Sequence, residues 1–167
     1  MKTLAKKAKR KTPPTLVNGT VPPRRMRNRD VRSREYLTPN EVERLMAAAK
    51  KRERRYGVRD ATMILVAFRH GLRVSELCAL TWDQVDFSHG LLHVRRIKNG
   101  IASVHQIGGL EMRALRALKR EHAGARFVFM TERGAPMTPA GFRKMLARLG
   151  VGAKFQFPVH PHMLRHA

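Results

Sequence analysis

A chain of 167 residues can bury one respectable core, to which about 130 residues look able to contribute, so a single domain is the default. Its 35 Lys and Arg against 12 Asp and Glu leave a formal net charge of +23, far beyond what solubility needs, which points to a polyanionic partner and most simply to nucleic acid. A hydrophobic content of 43% excludes a wholly disordered basic tail, and a single cysteine excludes an intramolecular disulfide. No run approaches the apolar length of a membrane span, and the basic start MKTLAKKAKRK leads into prolines rather than a signal-peptide core, so a soluble cytoplasmic protein is expected.

Residues 1–35 hold twelve Lys and Arg against Asp30 and Glu35, with Pro13, Pro14, Pro22 and Pro23 interrupting any helix. They read as a flexible basic arm before a folded part spanning residues 36–167. Lys6, Lys7, Lys9, Arg10, Lys11, Arg24, Arg25 and Arg27 would add phosphate affinity without sequence choice; the plain alternative is a solvated tail. Thr38-Pro39-Asn40-Glu41 is a capping box with proline at the first helical position, and Val42, Leu45, Met46 and Ala49 follow at helical spacing. Residues 61–68 are apolar almost throughout, and Gly71 as a stop signal tips them to helix. Residues 69–80, RHGLRVSELCAL, place Val74, Leu77 and the single cysteine, Cys78, on one helical face, with Arg73, Glu76 and Leu80 on the adjoining one. Cys78 is thus expected to be a buried, inert thiol. Arg73 is either a surface residue paired with Glu76 or a rigid, planar phosphate donor at a helix-to-helix corner.

The stretch TWDQVDF reads as a turn that delivers Trp82 and Phe87 to the core. Residues 91–97 and 101–107 flank Asn99-Gly100, a strong hairpin signal, with Arg95, Arg96 and Lys98 at its approach. An amphipathic helix is expected over residues 110–121, with Leu110, Ala114, Ala117 and Leu118 inward. A short strand is expected over residues 127–130, then a turn at Arg133-Gly134-Ala135-Pro136. Thr138-Pro139 opens a helix striped with Phe142, Met145, Leu146 and Leu149 and ended by Gly150. His162 and Arg165 share a face on a helix starting near Pro161. The sum is a mainly helical α+β fold with a small antiparallel sheet.

GLRVSEL, the hairpin lysine and HMLRH occur in the order of the catalytic signature of the tyrosine recombinase (phage integrase) family, which this sequence resembles from about Tyr36 onward. HGLRVSEL and HPHMLRH are particularly similar to the small fimbrial-phase-switch recombinases. The resemblance implies a metal-free, cofactor-free DNA strand exchange through a 3′-phosphotyrosyl intermediate. In it Arg73 and Arg165 clamp the phosphate, His162 binds it or helps with proton transfer, and Lys98 acts as general acid. Glu76 and His166 position these groups, and Arg95 and Arg96 contact DNA. Duplex DNA is the implied partner, bound in an intact relative by a tetramer on two sites, and bacterial cytoplasm with the nucleoid is the implied location. This chain is expected to be monomeric without DNA.

The family's nucleophilic tyrosine lies downstream of the HMLRH block, whereas Tyr36 and Tyr56 lie upstream of Arg73 and read as structural. The 167 residues are therefore expected to lack the nucleophile, as a shortened product or a naturally shortened gene. His160, His162 and His166 cluster, but Arg165 among them would repel a cation, so no metal is expected. The competing readings are a basic DNA- or RNA-binding protein without chemistry, and a recombinase remnant that acts only by binding DNA.

Overall fold

The computed structural model describes residues 34–52, 56–95 and 101–165. The expected basic arm lies outside them except for its last two residues, Arg34 and Glu35.

The first helix, α1 (Pro39–Arg52), starts where the capping box places it. The Thr38 backbone N–H and hydroxyl both donate to the Glu41 carboxylate, at 2.8 and 2.9 Å, and Arg34 closes on it from outside at 2.7 Å. Val42, Leu45 and Ala49 form its inner face. Helix α2 (Gly57–His70) packs against it, and ten of its fourteen residues are buried. A helix covered on nearly all sides has no polar stripe, which is why residues 61–68 carry no periodicity. Arg59 is buried within it, held by Asp60 and by the Met130 carbonyl 2.9 Å from its guanidinium.

After the short helix α3 (Val74–Cys78), the expected turn at residues 81–87 is more structured than its sequence suggests. A 3-10 turn (Trp82–Gln84) leads into strand β1 (Val85–Asp86). Gln84 accepts from the Thr81 N–H and hydroxyl and donates to the His93 carbonyl at 2.7 Å, pinning the turn to the next strand. Trp82 and Phe87 are half-buried against the core, while Val85 goes fully inside. Strands β2 (Leu91–Val94) and β3 (Ser103–Gln106) form the expected hairpin, with Leu91 opposite Gln106 and Val94 opposite Ser103; the antiparallel sheet runs β1-β2-β3.

Helix α4 (Gly109–Glu121) presents a different inner face from the expected one. Leu115 and Leu118 are buried, Leu110 is exposed, and Ala114 and Ala117 are half-buried. No strand forms at residues 127–130, because that segment divides its hydrogen bonds between two partners. Val128 donates to the Leu80 carbonyl and Met137 donates to the Phe129 carbonyl, leaving isolated bridges at Phe127 and Met130. Helix α5 (Pro139–Gly152) is capped by the Thr138 hydroxyl, which accepts from the Gly141 N–H at 3.0 Å. It buries Phe142, Met145, Leu146 and Leu149 and runs two residues past Gly150. The core lies where all five helices meet, with Val85, Leu92 and Val94 of the sheet and Met163 and Leu164 of a 3-10 turn at Pro161–Leu164 packed into it.

Candidate active site

Helix α2 stops at Gly71, whose left-handed backbone (φ 57°) turns the chain so that Leu72 returns to the core. The next residue, Arg73, is extended and is the N-cap of α3, not a member of its face as the spacing suggested. The difference matters for its orientation, because a carboxylate three residues on can hold a cap residue at both ends. Glu76 Oε2 accepts the Arg73 backbone N–H at 2.9 Å, and Oε1 accepts from the guanidinium at 3.1 Å. Glu76 is only 5% exposed. Arg73 is thus ion-paired as the plain reading expected, yet its side chain remains 37% exposed.

The opposite wall comes from the end of the described chain. His160 is extended, and Pro161–Leu164 make one 3-10 turn where a helix was expected. Met163 and Leu164 are buried as anchors, and the Leu37 N–H donates to the Met163 carbonyl at 3.2 Å. The Arg165 N–H closes the turn on the His162 carbonyl at 3.0 Å. Leu72, Arg73, Val74, Pro161, His162 and Arg165 line a common cleft of about 230 Å³. Gly71 lies close to Arg165, 3.9 Å separating Arg165 Cγ from the point where a Cβ on Gly71 would stand. Two arginines and a histidine therefore line one cleft although some ninety positions separate them in sequence. Groups of this kind can hold an anion with several acceptor oxygens.

Lys98, Arg96 and His166 lie outside the described residues, as do Lys6, Lys7, Lys9, Arg10, Lys11, Arg24, Arg25 and Arg27. Arg95 is exposed, and its guanidinium pairs with Asp83 at 2.8 Å. The Thr81 hydroxyl, helped by Arg95, holds the Asp83 carboxyl below the ordinary range. Tyr36 is half-exposed under the Arg34 guanidinium, Tyr56 lies beneath that of Arg59, and neither lines the cleft. Among the described residues no group of three His, Cys, Asp or Glu is arranged to hold a metal ion. Cys78 is buried as expected, and burial pushes its thiol up to about 11.

Sequence reasoning missed a polar cluster at the end of α2, in which the buried His70 and Glu111 meet the half-exposed Arg69. A signal existed. Glu111 stands three residues after Gly108, the half of a capping box that the carboxylate supplies, and its Oε2 accepts the Gly108 N–H at 3.0 Å.

The Phage integrase family profile matches residues 35–167. The type 1 fimbriae regulatory protein FimE of Escherichia coli K12 is 34% identical over 140 residues, which is 80% of this chain and 70% of that protein. Tyrosine recombinase XerC of Xanthomonas campestris is 34% identical over 113 residues, 66% of this chain and 35% of that one. Among solved structures, XerA recombinase superposes with a TM-score of 0.67 at 26% identity, covering 80% of this chain and 48% of that one. The catalytic core of lambda integrase superposes with a TM-score of 0.65 at 22% identity, covering 80% of both chains. The chain thus spans most of the fimbrial regulators, but about half of XerA and about a third of XerC.

Proposed function

Because the chain belongs to the phage integrase family, we propose that its Arg73–His162–Arg165 cleft holds the scissile phosphodiester of duplex DNA during site-specific recombination. The observation that carries this reading is the meeting of two guanidiniums and an imidazole in one cleft. Two planar donors on different walls can each take nonbridging oxygens bidentately, and they stabilise the charge that develops as phosphorus becomes pentavalent. His162 hydrogen-bonds the same phosphate or moves a proton at it. Glu76 keeps Arg73 in place and does not touch DNA.

In the full reaction a tyrosine hydroxyl gives its proton to His162 and attacks phosphorus, a tyrosyl O–P bond forms as the P–O5′ bond breaks, and the 5′-oxygen takes a proton from Lys98. His166 supports the phosphate-binding groups. Residues 36–167 carry this chemistry, while the arm at residues 1–35, with Arg95 and Arg96, adds phosphate contacts. The partner is duplex DNA in the bacterial cytoplasm. Assembly is a tetramer on two sites, the state in which lambda integrase is described on a Holliday junction, with this chain monomeric away from DNA.

The attacking hydroxyl comes from outside these 167 residues, since Tyr36 and Tyr56 are both engaged away from the cleft. Residues 1–167 by themselves therefore bind DNA without cleaving it. Incubation with a nicked suicide duplex gives no denaturant-resistant adduct with these residues alone. A polypeptide continued through a downstream tyrosine gives one that disappears in Arg73→Ala. An adduct mapped to Tyr36 or Tyr56 would overturn this assignment.

A further inference from the structure

Beside the cleft, the last turn of α2 is fastened to the first turn of α4 by charge. Glu111 is 0% exposed and His70 5% exposed. His70 Nε2 stands 3.1 Å from Glu111 Oε1, without the alignment of a hydrogen bond and ionic only with His70 protonated, and the half-exposed Arg69 guanidinium lies 3.6 Å from Oε2. The His105 ring, on the returning strand of the hairpin, meets His70 edge-on at 5.3 Å between centroids. Arg69 also packs so tightly over Gly108 that a Cβ there would fall 2.5 Å from its guanidinium.

A carboxylate buried this completely is a poor way to gain stability, since an apolar side chain of similar volume often does as well or better. What such a charge does supply is geometry, because the groups packed against it cannot slide away without leaving it buried and uncompensated. Here the fastened residues are the last two of α2, and the next three are Gly71, Leu72 and Arg73. Glu76 fixes Arg73 relative to α3 only. The Glu111 cluster fixes the corner itself relative to α4 and the sheet.

We propose that Glu111, acting through His70 and Arg69, is a positioning residue for Arg73, holding the α2–α3 corner at the place from which the guanidinium reaches phosphate. This rests on the reading of the cleft as a phosphate site. Glu111→Gln is nearly isosteric and keeps an acceptor for the Gly108 N–H while removing the charge.

The test is a double-mutant cycle on the full chain, with affinity for a short DNA duplex as readout and a thermal melt on every variant. Arg73→Ala loses about tenfold in affinity when Glu111 is present and less than about twofold in the Glu111→Gln background, since the guanidinium there is no longer placed to bind. The loss from Arg165→Ala is the same in both backgrounds. A merely structural role would lower the melting temperature and leave the Arg73 and Arg165 losses unchanged or scaled alike, and either result overturns the proposal. If Glu111→Gln fails to fold, His70→Gln replaces it with the same expected pattern. If Arg73→Ala loses nothing even beside an intact Glu111, the phosphate reading of the cleft has failed first and takes this proposal with it.

Discussion

Gly150→Ala tests whether packing behind the cleft holds its far wall in place. Gly150 is buried on α5, and a Cβ there would stand 2.7 Å from Val159 Cγ2 and 3.1 Å from Val159 Cβ. Rotating the valine moves its methyls but not its Cβ, so relief requires the backbone at Val159 to shift. His160 and the turn bearing His162 follow directly. Overpacking of this kind costs about 1–3 kcal/mol, and replacing a helix-interior glycine returns about 0.5–1 kcal/mol. The net loss is then about 0–2.5 kcal/mol, or a fall in Tm of up to about 10 °C for a domain of this size. Calorimetry reads the first effect, and duplex titration reads a second, a weaker affinity although Gly150 lines no part of the cleft. Val159→Ala should be less damaging in the Gly150→Ala background than in the parent, because it relieves the contact that the new methyl creates. A Gly150→Ala chain that melts higher than the parent and binds DNA equally well would refute the reasoning, since Val159 would then yield without moving the wall.

Glu41 should make stability depend on pH. Burial raises its pKa, but donation from the Thr38 backbone and hydroxyl and from Arg34 outweighs this and leaves the group below the ordinary glutamate value. Its stabilisation is therefore complete above the unfolded pKa and lost as pH falls through the lower, folded one. Glu41→Ala should cost about 1 kcal/mol by denaturant titration at neutral pH and progressively less in acid, and a constant cost would contradict the capping account. The Cys78 thiol, pushed up to about 11, should be alkylated near pH 8 only as fast as the fold opens; prompt labelling of the native chain would show that it is not enclosed. Duplex affinity should fall steeply with salt, and deleting residues 1–35 should shallow the log–log slope by several units, at about 0.9 for each phosphate the arm neutralises. An unchanged slope would remove the arm from the interface.

The parts of this fold legible in the sequence are those written in local chemistry. Thr38-Pro39-Asn40-Glu41, Thr138-Pro139 and the Gly71 stop each fix a helix end through a few neighbouring atoms, and each stands where it was expected. The hairpin strands follow from alternation around Asn99-Gly100 in the same way. Residues 127–130 differ because their hydrogen bonds go to Leu80 and Met137, partners that no local pattern reveals. The inner face of α4 is misread from sequence because Glu111 counts there as polar and therefore outward, whereas it is buried against Arg69 and His70 of α2. Within the site, Arg73, His162 and Arg165 are recognisable by motif, and Glu76 by its spacing from Arg73. That Arg73 is a cap and not a helix residue depends on the turn at Gly71, whose direction is a tertiary matter.

The central claim is that Arg73 and Arg165 engage one and the same DNA phosphate. Duplexes in which single phosphates are replaced by neutral methylphosphonates, titrated against the parent chain, Arg73→Ala and Arg165→Ala, test it directly. The account predicts one phosphate position whose neutralisation weakens the parent strongly and weakens neither variant further by the same factor. If the two arginines couple to different phosphates, or if every position weakens all three proteins equally, the cleft is not a phosphate clamp.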